Sequence, residues 1–538
     1  MRRFSDVSCL CAALAFWALA VTANAAPESC ESLAKLSLPN TKITLAQMVP
    51  AGTFVGPPPP YPMPVPPSYK DVPAFCRVTA EIVPTSDSDI KIEVWMPASG
   101  WNGKFRGQAN GGFAGVIDYP GLGEAVKRGY ASAGTDTGHT TTDARWALGH
   151  PEKVIDFGYR GLHEMTEKAK AIVQAFYGSG LRQSYFASCS DGGREALMEA
   201  QRFPADYEGI LAGAPANYWT HLLVGSMWQL RATTLDPASY IPASKIPALN
   251  DAVVAACDAL DGLRDGLLND PRQCRFNPDT MLCKEAESQT CLTAPQVAAL
   301  KKIYAGPRDS AGRQLFPGIL PGGEAGMGGW PIWITGNAPG RSLIAFFSIG
   351  YFTNFIYGKP DWDYKTFEID EATRLADQKT AQALNATDPN LGPFMKRGGK
   401  LILYHGWSDA AIPALNTIEY YSQVAATMGP QATGDFVRLF MVPGMQHCGG
   451  GPGPNSFGQF GGSATDDPEH NAYVALERWV EKGVAPSKII ATKFVDDMNP
   501  TKGVKMTRPL CPYPQVATYT GSGDVNDAAN FVCAAGEK

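Results

Sequence analysis

Three apolar runs in this chain end close to a residue that could take part in acyl transfer: Ser190 in YFASCSDGGREA, Asp409 in KLILYHGWSD and His447 in VRLFMVPGMQHC. A serine hydroxyl becomes an effective nucleophile when a histidine takes its proton and a carboxylate orients that histidine. The order Ser190, Asp409, His447 is the order in which α/β-hydrolases present nucleophile, acid and base, each at the carboxyl end of a strand. Asp466 and Asp467 are rival carboxylates, but they follow the histidine and break that order. Gly192 and Gly193 just after Ser190 suit a tight strand–helix turn, which a simple helix N-cap serine does not require. Ser188 stands where such turns carry a first glycine, and it is small enough for the turn to close. The amide of Asp191, at a helix N-terminus, is the first candidate donor for a tetrahedral oxyanion. QANGGFAG (108–115) supplies a second amide near Gly111 or Gly112.

These groups need strands to carry them and helices to cover the strands. DIKIEVWMP alternates Ile90, Ile92, Val94 and Met96 with Lys91, Glu93 and Trp95, which predicts a half-buried strand. YASAGTDTG, SYFAS and YEGILAGAPA read as further strands, and YRGLHEMTEKAKAIVQAFYG and GGREALMEAQRFP as helices. The proline-rich stretch 57–69 reads as an extended strap. From 226 to 395 the strand–helix alternation stops, and KLILY and VRLFMV then resume it. The expected fold class is α/β, a doubly wound sheet whose first part is 26–225 and second part 396–538, interrupted by the insertion 226–395.

Residues 1–25 have the form of a signal peptide: Arg2 and Arg3, an apolar stretch from Leu10 to Val21, and the small-residue cleavage site Ala23-Asn24-Ala25. That stretch is shorter than the roughly 20 residues a membrane span needs, so a secreted or periplasmic protein without a membrane anchor is expected. Beyond it lie ten cysteines: Cys30, Cys76, Cys189, Cys257, Cys274, Cys283, Cys291, Cys448, Cys511 and Cys533. An even number after export favours disulfides over metal ligation. Close spacing favours Cys257–Cys274, Cys283–Cys291 and Cys511–Cys533, while the full connectivity stays open. The net charge of −6 gives no basic field and argues against nucleic acid as a partner.

WNGKFRGQANGGFAG, CSDGGRE, YHGWSDAAIP and VPGMQHC together resemble the motifs of the tannase and feruloyl esterase family, from about Cys30 to Cys533. The resemblance implies an α/β-hydrolase with Ser190 as nucleophile, His447 as base and Asp409 as orienting acid. It implies an oxyanion hole at Gly112 and Asp191, a Cys189–Cys448 bridge, and a lid formed by 226–395. The implied substrates are small esters of aromatic acids, feruloyl or other hydroxycinnamoyl esters or galloyl esters. The ending TRPLCPYPQVATYTGSGD also resembles the terephthalate-monoester hydrolases of that family, with Arg341 as the nearest candidate for the free carboxylate. An amidase or protease, and a non-catalytic binding protein, are the remaining classes.

Asp258, Asp261 and Asp265 in CDALDGLRDGLLND crowd three carboxylates together, which suits either a hard cation or a solvated acidic turn. The family resemblance implies structural Ca2+, with the carbonyls of Leu263 and Leu267 completing the shell. In the aromatic run 329–358, Trp330, Trp333, Phe346, Phe347, Tyr351 and Phe352 could line an aromatic-acid pocket or pack the lid. Oligomeric state is not legible.

Overall fold

The computed structural model describes residues 29–58, 67–460 and 465–536. The expected signal peptide and most of the proline-rich strap lie outside the described residues.

Short β-branched and aromatic runs bounded by polar turns form one nine-stranded sheet. Its strands are β1 (Thr41–Val49), β2 (Phe75–Ile82), β3 (Ile90–Pro97), β4 (Lys104–Gly107), β5 (Ala131–Thr135), β6 (Gln183–Cys189), β7 (Gly209–Gly213), β8 (Lys400–Gly406) and β9 (Val437–Val442). The spatial order is β1-β2-β3-β5-β4-β6-β7-β8-β9. The first three strands and the β3–β5 pair run antiparallel, and every pair from β5–β4 to β8–β9 is parallel.

Period-two alternation divides each central strand between two cores. Phe186, Leu401 and Leu403 pack with the helices Gly161–Tyr177 and Asp191–Arg202 on one face. Tyr185, Ile402 and Tyr404 pack with the helix Ala472–Lys482 on the other. A sheet covered on both faces makes its strands continuous apolar runs, as KLILY and VRLFMV are.

Two strands differ from expectation. β1 precedes the proline-rich stretch, so the sheet begins before the strap. β3 is buried on both faces: Glu93 is 3% exposed and Trp95 0%. Glu93 tolerates burial because Arg77 Nη2 donates to it at 2.5 Å, Trp95 Nε1 at 2.8 Å and Tyr119 Oη at 2.8 Å.

Between β7 and β8 the chain is helical and irregular, with no strand. The helix Trp219–Thr234 crosses residue 226 and Gly392–Lys396 crosses 395, so both expected edges of the insertion fall inside helices. The insertion shares one apolar cluster with Phe113, Trp146 and Phe157 of the first part, which seats it over the carboxyl ends of the strands. Among the described residues five disulfides form: Cys30–Cys76, Cys189–Cys448, Cys257–Cys274, Cys283–Cys291 and Cys511–Cys533.

Candidate active site

Ser190 occupies the turn between β6 and the helix Asp191–Arg202, with φ 69° and ψ −125°. Such a backbone is strained for a side chain larger than glycine's and persists only where its surroundings hold it. Here Ser190 N donates to Gly213 O at 3.0 Å, and Ser190 O accepts from Gly193 N at 3.0 Å and Ala216 N at 3.1 Å. The two glycines after Asp191 are obligatory. A Cβ at Gly192 would lie 2.0 Å from Ser188 Oγ, and one at Gly193 2.3 Å from Gly213 O. The turn therefore closes with Ser188 because the hydroxyl lies where residue 192 leaves its Cβ position empty.

β8 and β9 lead into the loops that bring the other two groups to this turn. His447 Nε2 lies 2.9 Å from Ser190 Oγ, and His447 Nδ1 lies 2.8 Å from Asp409 Oδ2. Asp409 Oδ1 accepts from Ala411 N at 2.8 Å and Ile412 N at 3.0 Å. Burial alone would raise the Asp409 carboxyl. The charge of His447 and hydrogen bonds from His405 and His447 outweigh it and hold the group well below the usual carboxylate range. An ionised Asp409 fixes His447 with a proton on Nδ1, leaving Nε2 to accept the proton of Ser190.

Gly112, at φ 63°, and Asp191 line one cavity with Ser190 and His447. The glycine loop is tied to the helix that follows Ser190 through Asn110 N, which donates to Glu195 Oε2 at 3.1 Å. Burial, and then the charge of Asp191, push the Glu195 carboxyl up to about 8. Arg194 is 0% exposed and spends its guanidinium on Asp191 Oδ1 at 2.6 Å and on the carbonyls of Gly158 and Phe157.

Beyond Ser190 and His447 the cavity wall is largely apolar, with the Ser226 hydroxyl the exception: Trp219, Leu222 and Leu223 lie on the helix that also carries Ser226, joined by Trp333, Ile344 and Phe347 of the insertion and by Ile412. Trp333 meets the His447 ring edge-on at 4.9 Å. Of the aromatic run, only Trp333 and Phe347 reach this cavity. Trp330, Tyr351 and Phe352 are core residues, and Phe346 is 45% exposed. Arg341 lies with Phe346 on a separate groove, not in the cavity wall.

Three contributors escaped the sequence reading. His405 lies 3.2 Å from Asp409 Oδ2 and 2.7 Å from Thr417 Oγ1, fully buried behind the carboxylate. Its signal was a histidine inside the apolar run KLILYHG, four residues before Asp409. Glu195 follows Asp191 by one helical turn. Trp219, Leu222, Leu223 and Ser226 have the i, i+3, i+4, i+7 spacing of one helix face.

The acidic loop lies apart from these residues. Asp261, Leu263, Asp265 and Leu267 line one small cavity with Arg508 and Tyr519. Asp265 Oδ2 accepts from Arg508 Nη2 at 2.6 Å, and Asp258 Oδ1 accepts from Gly266 N at 3.0 Å. Burial, with the like charges of Asp265 and Asp258, pushes the Asp261 carboxyl up to about 6. An all-oxygen donor set under mutual repulsion fits a hard cation in its chemistry. Among the described residues, however, no group of three or more His, Cys, Asp or Glu side chains is gathered as a metal cluster.

The geometry has counterparts in known proteins. Residues 76–534 match the family model described as tannase and feruloyl esterase. The chain belongs to the tannase and feruloyl esterase family. It is a carboxylic ester hydrolase. Over 99% of its length it is 41% identical to an uncharacterized esterase of Xanthomonas campestris pv. campestris, covering 96% of that protein. A probable feruloyl esterase B-2 of Aspergillus terreus is 32% identical, with 94% of each chain covered. The solved structure of feruloyl esterase B from Aspergillus oryzae superposes on this esterase with a TM-score of 0.85 at 30% identity, covering 94% of this chain and 99% of that one.

Proposed function

We propose that this esterase hydrolyses esters of aromatic carboxylic acids through an acyl-enzyme on Ser190. The carrying observation is the hydrogen-bonded series Ser190, His447, Asp409 opening into an apolar, aromatic-walled cavity. Ser190 Oγ attacks the ester carbonyl carbon as His447 Nε2 takes its proton. The amides of Gly112 and Asp191 stabilise the oxyanion. As the tetrahedral species collapses, the carbon–oxygen bond to the alcohol breaks and His447 gives its proton to the departing oxygen. Water, deprotonated by His447, then attacks the acyl-enzyme, and the acid leaves as Ser190 recovers its proton.

Among the described residues, the cavity wall includes no lysine or arginine. That favours an acyl group without a second carboxylate over a terephthalate monoester. Purified wild-type protein and Ser190→Ala, each assayed on methyl ferulate, methyl gallate, the terephthalate monoester and an anilide, test the reading. Loss of aromatic-ester hydrolysis in the variant is expected, and hydrolysis retained by the variant would overturn it.

Two further readings accompany this one. Ca2+ is proposed to hold the 258–267 loop through Asp258, Asp261, Asp265 and the carbonyls of Leu263 and Leu267, supported by the oxygen donors and the raised Asp261. When bound it would neutralise those carboxylates and brace the insertion, away from the reacting atoms. Export with cleavage after Ala25 is proposed from the N-terminal sequence, and five disulfides suit an oxidising compartment.

A further inference from the structure

One polar side chain in the cavity wall has no role in the acyl-transfer machinery. The helix Trp219–Thr234 starts beside the nucleophile, since Ala216 N, three residues before it, donates to Ser190 O at 3.1 Å. It then runs along the cavity and presents Trp219, Leu222, Leu223 and Ser226 to it. Leu222 and Leu223 are apolar, Trp219 adds an indole N–H without a partner among the described residues, and Ser226 carries a hydroxyl. Ser226 is 6% exposed, and its hydroxyl has no hydrogen-bond partner among the described residues. Thr233 and Thr234 on the same helix turn their hydroxyls back to main-chain carbonyls of Gln229 and Leu230. Ser226 makes no such bond. One turn further along this helix, Gln229 is 4% exposed and its Oε1 also lacks a partner.

A hydroxyl that faces an apolar cavity without a protein partner gains from a hydrogen-bonding group placed beside it. The cavity offers a place for that partner, two turns along the helix from Trp219. At 1.5 Å per residue, Ser226 lies about 10 Å along the helix axis from Trp219. An acyl group seated in the cavity would pass its apolar middle along Leu222 and Leu223 and meet the Ser226 hydroxyl beyond them. A ring spaced from the ester carbonyl by a vinyl unit and carrying a 4-hydroxyl matches that sequence of surfaces. A galloyl ring, joined directly to the carbonyl, falls short by the length of the vinyl unit.

We propose that Ser226 is a specificity-determining residue that hydrogen-bonds the 4-hydroxyl of a hydroxycinnamoyl group, making the site one for 4-hydroxycinnamoyl esters in preference to galloyl esters. The inference rests on the aromatic-ester reading above. Ser190, His447 and Asp409 are untouched by it, so the two can fail separately.

The test compares wild-type enzyme with Ser226→Ala on methyl cinnamate, methyl 4-hydroxycinnamate, methyl gallate and an aliphatic methyl ester. In the variant, kcat/KM for the 4-hydroxy ester should fall roughly 5- to 10-fold, the effect of one neutral hydrogen bond. Methyl cinnamate lacks the hydroxyl and should change by no more than about twofold, which also reports that the variant is folded. The wild-type enzyme should favour methyl 4-hydroxycinnamate over methyl gallate. An equal loss on both cinnamate esters, no loss on either, or a wild-type preference for gallate overturns the role of Ser226. Wild-type enzyme that cleaves the aliphatic ester and none of the aromatic ones overturns the proposed function, and this inference with it.

Discussion

Cys189 and Cys448 are joined by a disulfide across 259 positions of sequence, so the residue before Ser190 is covalently bound to the residue after His447. Their Cα atoms are 5.9 Å apart, and Cys448 itself has a positive φ of 63°. The two loops that must hold a 2.9 Å contact between Ser190 and His447 therefore share a covalent tie as well as the sheet beneath them.

Removing that tie should loosen the reacting geometry more than substrate binding. Cys189→Ala combined with Cys448→Ala is expected to lower kcat about 10-fold or more with a smaller change in KM, since misplacement near 1 Å is costly. Stability should fall by about 2–5 kcal/mol. Steady-state kinetics on the folded double variant checks this, and unchanged kcat would contradict it.

Gly192 is the sterically closed position of the turn. Gly192→Ala should lower kcat at least about 10-fold, because its Cβ would meet Ser188 Oγ at 2.0 Å and Asn110 O at 2.7 Å. Adding Ser188→Gly removes the first clash and leaves the second, so activity should return only in part. Kinetics on the single and double variants measure both effects.

The strand-end groups were legible because each follows an apolar run of strand length and stands in the hydrolase order. The Ser190 turn was legible because its two glycines have few other uses. Other features were hidden for physical reasons. β1 precedes a proline-rich stretch that reads as the end of any sheet, and the pairing that holds β1 is long-range. Glu93 and Trp95 looked solvent-facing because the partners that satisfy Glu93, Arg77 and Tyr119, come from elsewhere in the chain. In the aromatic run, composition could not tell which rings face the cavity. The helix Leu343–Tyr351 turns Phe347 inward and leaves its neighbour Phe346 partly exposed. Ser226 stood at the expected edge of the insertion, so the helix carrying it was divided between two parts.

Glu195 makes stability depend on pH. Its folded carboxyl is raised to about 8, while an unfolded glutamate titrates near 4.3. Between those values the folded state binds more protons, so this contribution is full below about pH 4 and is lost as pH rises through about 8. Glu195→Gln keeps an acceptor for Asn110 N and removes the titration. Its Tm relative to wild type should rise from pH 5 to pH 8. A parallel pair of Tm profiles would contradict the assignment.

Calcium should be separable from catalysis. If Ca2+ holds the 258–267 loop, chelation should lower Tm while kcat on the remaining folded enzyme stays within about twofold, and Asp261→Asn should lower the metal content. Elemental analysis of purified protein with and without chelator, paired with thermal unfolding, decides it. Absence of metal together with an unchanged Tm would remove calcium from the account.

The central claim is that Ser190 carries the acyl group. Rapid acid quench of the enzyme during turnover of methyl ferulate, followed by intact-mass and peptide-mass measurement, tests it most directly. The predicted result is a feruloyl adduct on the peptide containing Ser190, absent in Ser190→Ala and accumulating when deacylation is slowed. An adduct on another residue, or turnover that persists in Ser190→Ala, would contradict it.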